Sequence, residues 1–371
     1  MTQGLASSKR LIVKIGSSLL ADDKTGEPRR TWLEALLDDI AALRKTGTQV
    51  LIVTSGAVAI GRRHLGLPAG PLRLEEKQAA AAAGQIRLAH VYQEAAAQHG
   101  IIVAQILLTP EDTEMRRRHL NARATIEQLL TLEALPVINE NDTVATAELR
   151  FGDNDRLAAR VAQMISADTL VLLSDIDGLY TADPRRDKTA RHVPECREIT
   201  PEIETMAGKA PPGSSSGGMV TKLAAARICL AAGCRMVIAR GDALHALAAL
   251  DHGARATWFL PAAEPRTARK RWIAGAINPA GVLVIDDGAA RALKRGTSLL
   301  PAGVVRVEGE FERGDAVIVR SKDGHELARG LSAYSSADAR AIAGHKSGEI
   351  EAILGYRGRD EMIHRDDLVV K

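Results

Sequence analysis

The sequence predicts an α/β protein: a three-layer αβα sandwich around a mostly parallel central sheet, followed by a small β-rich domain. Three observations carry this expectation. Short apolar runs alternate with longer helical patterns over residues 1–275. Most of those runs lack period-2 alternation, which marks strands covered on both faces. Near residue 277 the texture changes, and the runs become short, closely spaced and punctuated by Gly and Asp.

The apolar runs, in order, are Leu11–Ile15, Val50–Val53, Ile101–Leu108, Pro136–Ile138, Thr169–Leu173 and Met236–Ala239. Between them lie helical patterns over Thr31–Lys45, Leu74–His99, His119–Leu132 and Thr221–Ala232. Strand and helix in alternation are the mark of a parallel sheet with helices on both faces. Several runs end abruptly in polar or small residues: Gly16-Ser17-Ser18, Thr54-Ser55-Gly56, Asn139-Glu140-Asn141-Asp142 and Ser174-Asp175. Ligands of open α/β sheets bind at the carboxyl ends of strands, so these four ends predict one assembled site.

A basic connector (Arg266, Arg269, Lys270, Arg271) precedes the second region. Runs over Gly281–Ile285, Val304–Val307, Ala316–Arg320 and Glu326–Leu331 then predict a compact β-rich module. The expected division is residues 1–275 and 276–371, with the core of the second domain at about 280–357.

Composition bounds the function. The 371 residues are 46% hydrophobic and 26% charged, ordinary for a globular protein, and the formal net charge of +3 calls for no acidic partner. Aromatic residues make up only 3%, so Ala, Val, Ile and Leu must build the core. Cys196, Cys229 and Cys234 form no C-x-x-C pair, and neither a disulfide framework nor a zinc site is legible. With no signal-peptide pattern in Met1–Arg10 and no apolar run near the ~18 residues of a membrane span, the expected location is cytoplasmic.

Four constellations carry chemistry. Lys14-Ile15-Gly16-Ser17-Ser18 sets a positive point charge and backbone N–H groups at a strand end, a combination that holds phosphate. Gly213–Lys222 is a Gly/Ser-rich stretch running into an apolar helix, with Lys222 at the helix start. It is not a Walker A sequence, and no G-x-G-x-x-G follows a strand. Asn139–Asp142 and Phe151–Asp155 are two acidic-amide clusters suited to an ammonium group or cation; as solvated loops they would instead form Asx turns. Finally, Ser174–Pro184 takes a buried strand into a polar turn at Gly178 and an Asp-Pro break.

Together these blocks resemble the amino acid kinase family, and most closely its branch acting on free glutamate. The matching blocks are Val53–Ala57, Asn139–Asp142, Gly152–Asp155, Leu179–Pro184 and Gly217–Lys222, in the family's order. The C-terminal module resembles a PUA domain, with Arg271-Trp272-Ile273 before it and Ser298-Leu299-Leu300-Pro301 within it. The resemblance implies ATP-dependent phosphorylation of the glutamate γ-carboxylate, with Mg²⁺ as cofactor and the product feeding proline biosynthesis. It also implies feedback inhibition by proline, a separate glutamyl-phosphate reductase, and a homodimer or homotetramer.

A carboxylate with a reference pKa of about 4.3 is already ionised at neutral pH and needs no general base, so positioning and electrostatics must do the work. Lys14 and Lys222 are the expected cations on the transferring phosphoryl group, and the resemblance assigns Asp155 to orient them. The carboxylate of Asp142 suits the substrate's ammonium, and Ser55 suits its α-carboxylate; the resemblance adds Asn154, Asn139 and Asp153. It further implies that Lys14, Gly16, Ser174, Asp175, Ser216, Gly217, Gly218, Met219, Val220, Thr221 and Lys222 hold ATP. In the family Gly is common where Ser214-Ser215-Ser216 stands here, which bears on the backbone freedom of that loop.

Two alternatives stand beside this reading. One is another enzyme of the family, acting on aspartate, N-acetylglutamate, carbamate or UMP. The other is an RNA-binding protein working through its C-terminal module. That module carries 14 Lys and Arg against 15 Asp and Glu, and offers only Phe311, Tyr334 and Tyr356 for stacking, which weighs against nucleic acid. Arg116-Arg117-Arg118 is read as the solvated start of a helix.

Overall fold

The computed structural model describes residues 4–22, 25–68, 70–144, 154–208, 218–262 and 279–371. Two compact units are present, Met1–Glu114 with Asn121–Pro265, and Met115–Leu120 with Arg266–Lys371.

The first unit is built on strands β1 (Arg10–Ile15), β2 (Gln49–Val53), β3 (Val103–Leu108), β4 (Leu135–Glu140) and β5 (Thr169–Ser174). These are followed by the two-residue strands β6 (Leu179–Tyr180), β7 (His192–Val193) and β8 (Glu195–Cys196), then β9 (Arg235–Arg240) and β10 (Ala256–Phe259). Its eight-stranded sheet has the order β3-β4-β2-β1-β5-β9-β10-β8. Every neighbouring pair is parallel except β9–β10. Parallel strands need crossovers, which the helices supply. They include α1 (Ser17–Leu20), α2 (Arg30–Lys45), α3 (Ala57–His64), α4 (Leu74–Ala97), α5 (Pro110–Glu114), α6 (Arg116–Thr131), α7 (Asn154–Ile165), α8 (Pro201–Met206), α9 (Met219–Ala232) and α10 (Ala246–Asp251).

Strand alternation divides the core in two. Leu11, Val13 and Ile15 of β1 join Val50, Ile52, Val171 and Leu173 on one face, against Leu33, Leu37 and Ile40 of α2 and Leu88 and Tyr92 of α4. Ile12, with Leu51, Val53, Leu170 and Leu172, faces the other way, against Leu157 and Val161 of α7 and Leu223 and Ala226 of α9. Each fully buried aliphatic side chain contributes about 1.5–3 kcal/mol. This two-sided burial explains why the strands read as unbroken apolar runs. It also places Lys14, two residues after Ile12, on the face of β1 that α7 and α9 cover.

The helices follow from spacing and caps. In α2 the buried Trp32, Leu33, Leu36, Leu37, Ile40 and Leu43 recur every three or four residues. In α8 Thr200 caps the start, its side chain accepting from the Ile203 N–H, with Pro201 in the first turn. The α9 helix stops at Gly233, whose φ of 75° is the left-handed conformation glycine adopts without a Cβ clash. The six long strands match the apolar runs to within a few residues, whereas β6, β7, β8 and β10 and the short helices α1, α3, α5, α8 and α10 have no counterpart in the sequence reading, being too short to show a period.

The α3–α4 contact is unusually close. A Cβ built on Gly61 would lie 1.7 Å from the Ala80 carbonyl oxygen, and one on Gly84 would lie 1.8 Å from that of Ala57. No flexible side chain could yield there, because the obstructing atoms are backbone. Only glycine at both positions permits this approach.

The second unit holds a separate five-stranded sheet of order β12-β11-β13-β14-β15. Its strands are β11 (Gly281–Ile285), β12 (Val304–Gly309), β13 (Ala316–Ser321), β14 (Glu326–Leu331) and β15 (Leu368–Val370), with β11 and β13 parallel and the other pairs antiparallel. Three helices accompany it: α11 (Asp287–Lys294), α12 (Ser336–Ile342) and α13 (Ile350–Leu354). Asp286 caps α11, accepting from the Ala289 N–H at 2.7 Å, and Ser335 caps α12, accepting from the Asp338 N–H at 3.2 Å. Phe311 and Tyr334, two of the three aromatics counted above for stacking, are core residues at 4% and 2% exposure. Tyr356 alone of the three is exposed.

Candidate active site

Parallel pairing brings the carboxyl ends of β2, β1 and β5 to one edge: Lys14 is in register with Val53 on one side and Leu172 on the other. β4 joins through Val53↔Ile138, and β9 through Ser174↔Arg240. The four polar strand ends anticipated from sequence therefore share one sheet edge, and the helices that start there complete the site.

At its centre is a buried ionic trio. Lys14 leaves the end of β1, Asp155 stands in the first turn of α7, and Lys222 in the first turn of α9. Lys14 Nζ lies 2.5 Å from Asp155 Oδ1 and Lys222 Nζ lies 3.0 Å from Asp155 Oδ2. Exposure is 6% for Lys14, 5% for Lys222 and 0% for Asp155. Thr221 Oγ donates to Asp155 Oδ2 at 3.4 Å and to the Gly218 carbonyl at 2.7 Å. Burial by itself would raise the Asp155 carboxyl, but the two ammonium groups more than offset it and hold the group down at about 2. Two ammonium groups thus meet in a largely dehydrated position at the sheet edge, a setting in which an anionic group is strongly attracted.

Beside the trio, α9 presents the backbone N–H groups of its first turn, after the cap residue Gly218. Met219 and Thr221 are half-buried there, and Val220 is exposed. Gly16 precedes the short α1, and a Cβ on it would meet only the Leu173 carbonyl oxygen at 4.0 Å. At the end of β5, Ser174 is buried and its hydroxyl donates to Asp175 Oδ1 at 3.1 Å. Asp175 is paired with Arg185 at 2.6 Å. Burial would raise that carboxyl, and hydrogen bonds from Arg185 and Ser174 turn the balance downward.

On the other side of Lys14 is a strip of amides and hydroxyls. Ser55 Oγ donates to the Ile15 carbonyl at 2.8 Å, tying the ends of β1 and β2 together. Gly56, with φ of 99°, makes the turn into α3. Asn154 Nδ2 donates to Asn139 Oδ1 at 2.8 Å and also to the Thr54 carbonyl. Asn139 Nδ2 donates in turn to Gln85 Oε1 at 2.9 Å. Asn139 is 2% exposed, while Asp142 is half-buried in the turn after β4.

Of the residues singled out from sequence, Lys14, Asp155, Lys222 and Thr221 meet directly, as do Asn139 and Asn154. Ser55, Ser174 and Gly16 stand on the same edge without joining either group. Asp153, Ser216 and Gly217 lie outside the described residues, as do Ser214 and Ser215. Gln85 and Thr54 were missed. Gln85 looked like an ordinary polar position in an Ala-rich helix, and Thr54 takes part through its main-chain oxygen, which no sequence signal marks.

The donor set suits a nucleotide's phosphates: two buried ammonium groups, helix N–H groups and a strand-end glycine. Among the described residues no cluster of three or more His, Cys, Asp or Glu side chains could cage a metal ion. No helix of the described residues is long and apolar enough to cross a membrane.

The sequence pattern of the amino acid kinase family matches residues 9–240, and that of the PUA domain matches residues 281–354. The chain is 68% identical over 369 residues to glutamate 5-kinase of Paramagnetospirillum magneticum, covering 99% of both chains. It is 63% identical to glutamate 5-kinase of Rhodospirillum rubrum, covering 97% of this chain and 96% of that one. It is 58% identical to glutamate 5-kinase of Paracoccus denitrificans, covering 100% and 99%.

Proposed function

We propose, from the premise that the chain belongs to the amino acid kinase family, that it transfers the γ-phosphoryl group of ATP to the γ-carboxylate of L-glutamate, the first step of proline biosynthesis. Full-length similarity to glutamate 5-kinases supports the substrate, and one structural observation supports the chemistry: the buried trio of Lys14, Asp155 and Lys222.

The reaction joins two anions, so the barrier is electrostatic. Lys14 and Lys222 stand on the transferring phosphoryl group, neutralising charge that spreads over its oxygens in the transition state. Asp155 fixes both ammonium groups, so they need not reorganise during transfer. The acceptor carboxylate, ionised at neutral pH, attacks without giving up a proton. Mg²⁺, when bound with the nucleotide, would supply further charge neutralisation and would need few protein ligands of its own.

The nucleotide takes the β5–α9 side of Lys14, with Gly16, Ser174, Asp175 and the first turn of α9. Glutamate takes the β2–β4 side, with Ser55, Asn139, Asp142, Asn154 and, from the sequence reading, Asp153. Ser216 and Gly217 belong to the nucleotide side on the same reading. The domain boundary is placed at 275/276, the location is cytoplasmic, and the assembly is a homodimer or homotetramer. Proline acts as feedback inhibitor, and a separate reductase consumes the labile acyl phosphate.

The test is incubation with ATP, Mg²⁺ and hydroxylamine, with L-glutamate beside aspartate and N-acetylglutamate, and ADP release for UMP. Hydroxamate from glutamate alone is the expected result. Turnover with a different acceptor would overturn the substrate, and no turnover in a folded, ATP-binding protein would overturn the reaction.

A further inference from the structure

The amides of Gln85, Asn139 and Asn154 form a chain that ends on the main-chain carbonyl of Thr54. A carbonyl oxygen only accepts, so the Asn154 atom facing Thr54 must be its nitrogen. That nitrogen also donates to Asn139, so Asn139 must meet it with its oxygen, which turns the Asn139 nitrogen toward Gln85. Gln85 must therefore present Oε1. One acceptor-only backbone atom fixes the orientation of three side-chain amides. Two groups are left over among the described residues: the carbonyl Oδ1 of Asn154 and the Nε2 of Gln85.

The leftover acceptor matters for recognition. Asn154 opens α7, Asn139 lies in β4, and Asp142 follows in the turn after β4. An amide oxygen can accept from an ammonium group, whereas an amide nitrogen there could only donate and would repel it. Resting on the glutamate reading above, we infer that Gln85 is a positioning residue, which locks Asn139 and through it keeps Asn154 Oδ1 available to the substrate's α-ammonium.

The test uses the full chain with Gln85→Leu and Gln85→Glu, measuring kcat and the KM for both substrates. Gln85→Leu leaves the Asn139 nitrogen without its acceptor, so the KM for glutamate should rise about tenfold, with kcat and the KM for ATP within about twofold. Gln85→Glu retains an acceptor oxygen and should recover most of the loss. In the Asn139→Ala background the Gln85→Leu effect should largely disappear, because Gln85 acts through Asn139. A KM for glutamate unmoved by Gln85→Leu, additive effects with Asn139→Ala, or a Gln85→Glu variant worse than Gln85→Leu would each overturn the inference. If the unsubstituted chain forms no hydroxamate with glutamate, the functional reading itself fails; if it does, only the role of Gln85 is at issue.

Discussion

The Lys222 ammonium lies 3.0 Å from the Asp155 carboxylate, with both side chains almost fully withdrawn from solvent. The contact joins the first turns of two helices, α7 and α9, that pack side by side on one face of the sheet. Lys14 takes the other oxygen of the same carboxylate, so one acidic group holds two ammonium groups at the sheet edge; on the proposed reading both face the transferring phosphoryl group.

Replacing Lys222 should therefore damage the chemical step. Lys222→Ala is expected to lower kcat by about 10²–10³ and to change the KM for ATP much less. Lys222→Arg should not restore activity, since a planar guanidinium cannot take the place of a compact ammonium in a packed site. Steady-state kinetics decide it: a change confined to KM would refute a transition-state role.

Removing the shared carboxylate should cost stability as well as activity. Asp155→Ala takes the shared carboxylate from two buried cations, and loss of one partner of a buried pair is worth about 3–5 kcal/mol. The measurement is the urea midpoint against the unsubstituted protein; equal midpoints would show that the lysines escape to water.

The same carboxylate sets a pH window. Its folded value of about 2 lies below its ordinary value of 3.8, so its stabilisation is complete above the ordinary value and fades as pH falls through the folded one. The stability gap between the protein and its Asp155→Asn variant should be flat from pH 8 to about 4 and narrow only below that. A gap that closes near pH 6 would place the proton elsewhere.

Asp142→Ala should raise the KM for glutamate by about tenfold or more and leave the KM for ATP nearly unchanged, because on the proposed reading the lost charge serves the substrate's ammonium. Equal changes in both would move Asp142 out of the acceptor half.

Gly84→Ala tests the scaffold. The added carbon would sit 1.8 Å from a main-chain oxygen, so α4 must retreat from α3. Overpacking of this kind costs about 1–3 kcal/mol. Steady-state kinetics of the same variant show whether the retreat also moves Gln85: a raised KM for glutamate is expected if it does. A variant that melts like the parent would show that the two helices have slack.

Much of this was legible in the sequence because burial leaves marks. The strands ending at Lys14, Val53, Glu140 and Ser174 are covered on both faces, so they appear as apolar runs whose polar endings announce the sheet edge. Lys222 stands out at the start of an apolar helical pattern, while the orienting role of Asp155 comes from the resemblance of the Gly152–Asp155 block. What escaped had no such mark. The Gln85–Asn139 contact joins a helix to a strand 54 positions away, and the Thr54 carbonyl is an atom every residue carries. In the second unit the turn glycines revealed the strands, while the short helices behind the caps Asp286 and Ser335 were hidden among them.

The central place of β1 has an evolutionary corollary. On the proposed reading, acceptor groups gather on its β2–β4 flank and nucleotide groups on its β5–β9 flank, and the consecutive residues Asn154 and Asp155 hand over from one to the other. Selection can thus exchange what is phosphorylated without disturbing how. A chimaera that takes its β2–β4 flank from a family member with another substrate should inherit the new acceptor and keep its old donor.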